Sequence, residues 1–203
     1  MKRLVLILCV ALFLLPACRS GKSVSGKYYL LEPDRDQSFQ LAGDQLPLPY
    51  SCYLSPVWVH PAFASHQIAL RSNTHEISYF AFNEWGMRPG QALTELLESY
   101  FVREGLFVHV TTAEAIPAAD LRLETRVARL EVERTGNSFV ANLDLEFSLF
   151  DKDRNLVINV WEKQARRELE ERNLNLFAAA VSSLFAEALH EFSEELLRTL
   201  AKE

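Results

Sequence analysis

Few residues of this chain have the type and spacing that chemistry requires. The five histidines are His60, His66, His75, His109 and His190, and no two stand at the i, i+4 spacing with which a helix presents a pair of metal ligands. His60 and His66 flank the loop HPAFASH and could share an ion only if that loop folded back, so they read as solvent-facing or turn-capping residues. H-E-x-x-H and Cys/His ligand spacings are absent, and no metal or other cofactor is expected. No G-x-S-x-G is present, and Ser51-Cys52 lacks the sharp glycine turn of a nucleophile elbow. With only seven glycines there is neither a P-loop nor a G-x-G-x-x-G. Asp144 and Glu146 share a strand face and could model a carboxylate pair, although a solvated face accounts for them equally well. Asp34-Arg35-Asp36 and Asp151 to Asn155 lack the glycine and distal glutamate of a calcium loop and read as turns. The expectation is a protein that is not an enzyme and has no catalytic residue.

One cysteine does stand in a reactive context. Lys2 and Arg3 precede the apolar run Leu4 to Leu15, which is followed by Pro16, Ala17 and Cys18. A basic start, a short apolar run and a small residue before a cut make an export signal, and the run is too short for a membrane span of about 20 residues. Leu15-Pro16-Ala17-Cys18 resembles the bacterial lipobox. The resemblance implies acylation of the Cys18 thiol and cleavage between Ala17 and Cys18. Each buried acyl methylene adds about 0.8 kcal/mol of membrane affinity, so two or three chains (palmitate among them) hold a domain firmly. Arg19 rather than aspartate after the cysteine favours the outer membrane by the lipoprotein sorting rule. The expected organisation is a signal peptide over 1–17, a lipidated tether over 18–27 and one domain over 28–203.

Composition narrows the partners. Removing the signal takes Lys2 and Arg3 from 21 basic residues and nothing from 27 acidic ones, so the net charge moves from −6 to −8. An acidic domain is a poor candidate for binding nucleic acid or anionic headgroups by bulk charge, which leaves room only for a local basic patch. Once Cys9 leaves with the signal and Cys18 carries lipid, Cys52 is the remaining thiol, and burial in a small apolar site is its expected fate.

The elements follow from periodicity. Tyr28 to Leu31 suits a strand, and Glu32 to Tyr50, with Pro33, Pro47 and Pro49, reads as a long surface loop. Ser55 to Phe63, Gln67 to Arg71 and Glu76 to Phe82 read as three strands, the last two joined by a turn at Ser72 to Thr74. Leu93, Leu96, Leu97, Tyr100 and Phe101 recur at helical spacing, which predicts a helix over Gln91 to Glu104 capped by Gly105. Leu106 to Thr112 returns to strand. Leu121, Leu123, Thr125 and Val127 alternate, while Leu130 and Val132 have the opposite parity, so a bulge near Ala128 and Arg129 is expected. That strand, the strand from Phe139 to Leu149 and the one from Leu156 to about Leu169 form an antiparallel meander. Arg166 to Arg172, RRELEER, reads as a solvated face that also blunts an edge. A final helix, capped by Asn173 or Asn175, carries a wide apolar stripe from Leu174 to Leu200 that docks on the sheet. The fold class is α+β: a single domain with a mixed, mostly antiparallel sheet of about eight strands and two packed helices.

Three segments together carry a resemblance. YYLLEP (Tyr28 to Pro33), VWVHPAFASHQIALRS (Val57 to Ser72) and HEISYFAFNEWGMRP (His75 to Pro89) stand in the order and spacing of the ABC-type transport auxiliary lipoproteins. The family commonly has His-Arg-Trp where this chain has Asn83-Glu84-Trp85. The resemblance covers nearly all of the mature chain. It implies a non-catalytic auxiliary and docking component of an MCE-type ABC transporter, which moves lipids between the inner and outer membranes. The implied partners are a periplasmic MCE-domain protein with its permease and ATPase, the outer membrane through the lipid anchor, and in some members further copies of the chain in a ring. Nucleic acid is not among them. The expected place is the periplasmic face of the outer membrane. Tyr79, Phe80, Phe82 and Trp85 are the candidate contacts for partner or lipid, although Trp85 also suits a core position beside the first helix, whose start Pro89 would set. The alternative is a periplasmic lipid carrier or chaperone, which needs an apolar cavity of several hundred Å³.

Overall fold

The computed structural model describes residues 25–33, 39, 41, 46–113, 119–151 and 156–200. The expected signal peptide, Cys18, most of the tether, Asp34 to Asp36 and most of the turn after Asp151 lie outside the described residues. Among the described residues there are nine strands and two helices: β1 (Lys27–Tyr29), β2 (Leu48–Leu54), β3 (Trp58–Val59), β4 (Gln67–Asn73), β5 (Glu76–Trp85), α1 (Pro89–Glu104), β6 (Phe107–Thr111), β7 (Leu121–Thr135), β8 (Ser138–Asp151), β9 (Leu156–Glu168) and α2 (Leu174–Leu200).

The long strand β7 organises the sheet. Along one edge it pairs antiparallel with β8 over its whole length, and β8 pairs antiparallel with β9. Along the other edge three short strands follow one another, all parallel to it: β2 at Leu121–Leu123, β3 at Arg126–Val127 and β4 at Val132–Glu133. The sheet therefore forks. One branch adds β6 parallel to β2; the other adds β5 antiparallel to β4 and then β1 parallel to β5. The class is α+β and the sheet is mixed, with its longest ladders antiparallel.

The alternating sequence of the meander explains its burial. Leu143, Leu145, Phe147 and Leu149 face inward, and Phe147 lies 4.9 Å from Phe192 and 6.3 Å from Phe185 of α2, ring centre to ring centre. Leu121, Leu123 and Val127 face the same core; the register then shifts between Val127 and Arg129, which returns Leu130 and Val132 to it. The apolar stripe of α2 covers β8 and β9, and that helix is tied to β9 by Arg167, whose Nη2 donates to both Glu187 carboxylate oxygens at 2.7 and 2.9 Å, and by Lys163 to Glu191 at 2.5 Å. RRELEER is thus only partly a solvated face. Arg172 donates to the Gly136 and Asn137 carbonyls at 2.7 and 2.8 Å and closes the β7–β8 turn. The α2 start is capped by Asn173, whose Oδ1 accepts from the Asn175 backbone N–H at 2.8 Å.

Two sequence expectations need correction. Residues 48–54 belong to a strand, β2, rather than partly to a long loop. Pro49 can sit there because the β2–β6 register slips between Leu48 and Ser51, and a bulge needs no N–H from the proline. Conversely, Ser55 to Phe63 contributes only Trp58–Val59 as strand, after which the chain turns, with the Phe63 N–H donating to the His60 carbonyl at 2.8 Å. Prolines 56 and 61 bracket the pair and stop the ladder on both sides.

Candidate functional site

The aromatic segment of β5 is shaped by a wide bulge. Ala69 of β4 pairs with Tyr79, yet Gln67, only two residues earlier, pairs with Glu84. The excess residues of β5, around Phe80 to Asn83, swing out of the β4 ladder, and beyond them β5 takes β1 as a new partner. The four aromatics consequently part company. Tyr79 is half exposed and its hydroxyl donates to the Ala62 carbonyl at 3.2 Å. Phe80 is half-buried with its ring 6.2 Å from that of Phe139. Phe82 is 55% exposed. Trp85 is 2% exposed, with its ring 5.6 Å from Phe177 of α2. Trp85 is therefore a core residue against the C-terminal helix and offers no surface for contact.

The surroundings of Trp85 show why the β5 end is rigid. Its N–H donates to the His66 carbonyl at 2.7 Å, and His66 Nδ1 lies 2.8 Å from the Trp85 carbonyl. The Gly86 N–H donates to the Tyr29 carbonyl at 2.7 Å, and the Tyr29 hydroxyl to Asn83 Oδ1 at 2.9 Å. His66 is thus a backbone clamp. His60 stays at the surface, where its Nδ1 accepts from the Ala62 N–H at 3.3 Å. Among the described residues no three His, Cys, Asp or Glu side chains converge as metal ligands.

The remaining chemical candidates are held in structural roles. Cys52 is fully buried, and that burial pushes its thiol up to about 12, far from the thiolate a nucleophile needs. Its neighbour Ser51 donates through both N–H and hydroxyl to Asp120 Oδ2, each at 2.7 Å, which holds the Asp120 carboxyl below the usual carboxylate range. Asp144 pairs with Arg129 at 2.7–2.8 Å and Glu146 accepts from the Ser148 hydroxyl at 3.3 Å, so the two carboxylates are not a working pair.

Several concavities mark the surface of the described residues, one of them about 440 Å³ between Leu30, Glu32 and the start of α2. A polar cleft of about 740 Å³ lies at the tips of the β4–β5 and β7–β8 turns, with Arg71, Arg129, Arg134 and Arg166 in its wall. Three of these arginines already hold Glu131, Asp144 and Glu133. An open groove of about 540 Å³ runs between β3 and α1, lined by Val57, Trp58, Arg88, Thr94 and Glu98. Arg126 stacks on Trp58 there, 4.6 Å from the ring centre. The apolar pocket between the two helices, bordered by Leu96, Tyr100 and Phe185, holds about 20 Å³, room for about one water.

Fold and surface together define a single α+β domain with a forked mixed sheet, open sheet edges and shallow grooves. The chain belongs to the ABC-type transport auxiliary lipoprotein component family, whose sequence model matches residues 29–192. Protein XCC0632 from Xanthomonas campestris has a similar crystal structure, with a TM-score of 0.71, 15% identity, and coverage of 88% of this chain and 98% of that one. A second crystal structure, of an uncharacterized protein, matches with a TM-score of 0.58 at 15% identity and covers 85% of this chain and 99% of that one. These likenesses show the fold. The PelC dodecamer from Paraburkholderia phytofirmans, with a TM-score of 0.41, 19% identity and 75% and 95% coverage, is too distant to bear on how this chain assembles. A comparison with curated proteins finds no match. Among the described residues no helix is long and apolar enough to cross a membrane.

Proposed function

We propose that this chain is a lipid-anchored, non-catalytic docking component of an MCE-type ABC transporter, held at the periplasmic face of the outer membrane and serving lipid movement between the two membranes. Membership of the auxiliary lipoprotein family over residues 29–192 carries the proposal. The lipobox-like end of the apolar run at Cys18 supports the anchor, and Arg19 supports the outer membrane. The open edges of β6 and β9, which each pair on one side among the described residues, and the groove beside Trp58 are surfaces a partner can use. The lipid-carrier alternative draws less support, because the apolar pocket between the helices holds only about 20 Å³ and the larger concavities described above are open at the surface rather than enclosed. The partners are an MCE-domain protein with its permease and ATPase, and further copies of the chain where it assembles as a homo-oligomer.

The test is a crosslinked pull-down of the tagged, lipidated protein from native membranes, with its partners identified by mass spectrometry. Recovery of an MCE-domain protein is expected. Recovery of no transporter component, under conditions that preserve other envelope complexes, overturns the docking role. In the same cells, labelled palmitate should enter the wild-type chain and not Cys18→Ser.

A further inference from the structure

The outermost strand of one sheet branch carries an apolar patch that its other face does not explain. Tyr29 and Trp85, opposite each other in the β1–β5 ladder, turn toward the core. Leu30, just past the end of β1, is 52% exposed and borders a cavity with Asn175, Ala178 and Ala179 of α2, while on the outward side Tyr28 is 70% exposed and Phe82 55%. They are neighbours: the Tyr28 hydroxyl and the Phe82 carbonyl both lie within 4 Å of the position a Cβ would take on Gly26. A Cβ on Gly86 would stand 2.8 Å from Leu30 Cδ2, so Leu30 lies directly over that glycine. Glu84, half-buried opposite Tyr28, is the carboxylate within this ladder. Large exposed aromatic and aliphatic side chains gathered at one edge mark a contact surface rather than chance exposure.

The occupant follows from where this edge sits in the chain. Tyr28 is ten residues after Cys18, so even a fully extended connection leaves β1 within about 35 Å of an anchored cysteine. The segment from Cys18 to Leu31 contains Arg19, Lys22 and Lys27 and no acidic residue, within a chain that is acidic overall. Lys27 of β1, with Arg19 and Lys22 close before it in sequence, and the exposed Tyr28 and Phe82 suit the headgroup layer of a bilayer with anionic lipids: cations meet phosphates and aromatic rings sit at the interface.

We infer that Tyr28, Leu30 and Phe82 form the face by which the domain rests on the bilayer that holds its own anchor. The inference relies on the proposed lipidation of Cys18. Acyl chains supply the affinity, and the patch sets orientation. The β1–β5 edge lies against the lipid, while β6 ends the other branch of the fork, set off from it along the same edge of β7. The groove beside Trp58 and the β6 edge are thereby left free for a partner.

The lipidated full chain is reconstituted into vesicles of phosphatidylethanolamine and phosphatidylglycerol. An environment-sensitive fluorophore is attached at Phe82→Cys in one sample and at Val108→Cys, on exposed β6, in another; Cys52 is buried and does not take the label. The expected result is a blue shift and loss of most intensity to nitroxide-headgroup lipids at position 82, with neither at 108. Adding Tyr28→Ser/Leu30→Ser should release the position 82 probe from quenching while the protein still floats with the vesicles, which separates the native patch from an effect of the dye. Equal quenching at both sites, or none at either in protein that still floats, overturns the resting face and leaves the anchor intact. Flotation unchanged by Cys18→Ser overturns the anchor, and the inference falls with it.

Discussion

Arg71 Nε and Nη2 grip the two carboxylate oxygens of Glu131 at 2.5 and 2.9 Å, and the Glu131 side chain is wholly buried. A third arginine nitrogen, Nη1, donates to the Thr74 carbonyl at 3.0 Å. One guanidinium thus joins β4 to the middle strand β7 and fixes the β4–β5 turn. Removing either partner leaves a charge without its mate at the junction of the fork. Arg71→Ala and Glu131→Ala should each cost about 3–5 kcal/mol, whereas Arg71→Met/Glu131→Leu should lose much less than the sum. Urea midpoints of the three variants check this, and simple additivity would contradict it.

Cys52 supplies a pH signature. Its folded thiol titrates near 12 against an ordinary 9.0, raised by burial. The raised value means that the unfolded chain releases this proton first. The stabilising contribution is complete below pH 9 and disappears progressively between there and about pH 12. Cys52→Ala should flatten the stability profile in that window. The native thiol should also resist a maleimide at pH 8 and react at once in denaturant.

Gly105 ends α1 with φ 61° and ψ 36°, its N–H donating to the Phe101 carbonyl at 3.1 Å. Nothing lies within 4 Å of a Cβ placed there, so substitution meets backbone strain and no clash. Gly105→Ala should therefore cost about 1–2 kcal/mol, and Gly105→Asn less, because asparagine tolerates the left-handed region better. Thermal unfolding of both variants gives the comparison; equal losses would point to a cause other than the dihedral.

Trp85 and Phe82 are three residues apart and should behave oppositely. Trp85→Ala removes a buried indole packed on Phe177 and should cost about 3–5 kcal/mol. Phe82→Ser removes a ring that is more than half exposed and should change stability by less than about 0.5 kcal/mol. Denaturation curves for the two distinguish a core aromatic from a surface one.

Much of the local structure was legible because its causes are local. The parity switch after Val127 needed only a count along one strand, and it located the bulge to within a residue. Gly105 and Asn173 were legible because a positive φ or an orphan N–H at an element's end calls for particular residue types. β2 was not, since Pro47 and Pro49 argue against a strand unless a bulge makes room for them, and that bulge exists only in the pairing with β6. The separation of Tyr79, Phe80, Phe82 and Trp85 was hidden for the same reason: alternation puts them on two faces, while the wide bulge against β4 decides which reach solvent.

The division has one physical basis. By itself the sequence determined the helices, the meander, the candidate anchor at Cys18 and the absence of a familiar catalytic motif, because each depends on residue types at short spacings. Only the tertiary structure decided that β2, β3 and β4 follow one another along a single edge of β7, that Trp85 belongs to the core of α2, and that Tyr28, Leu30 and Phe82 share one outer edge. Parallel pairing joins residues about seventy positions apart through backbone groups that every residue carries, so no residue type announces it.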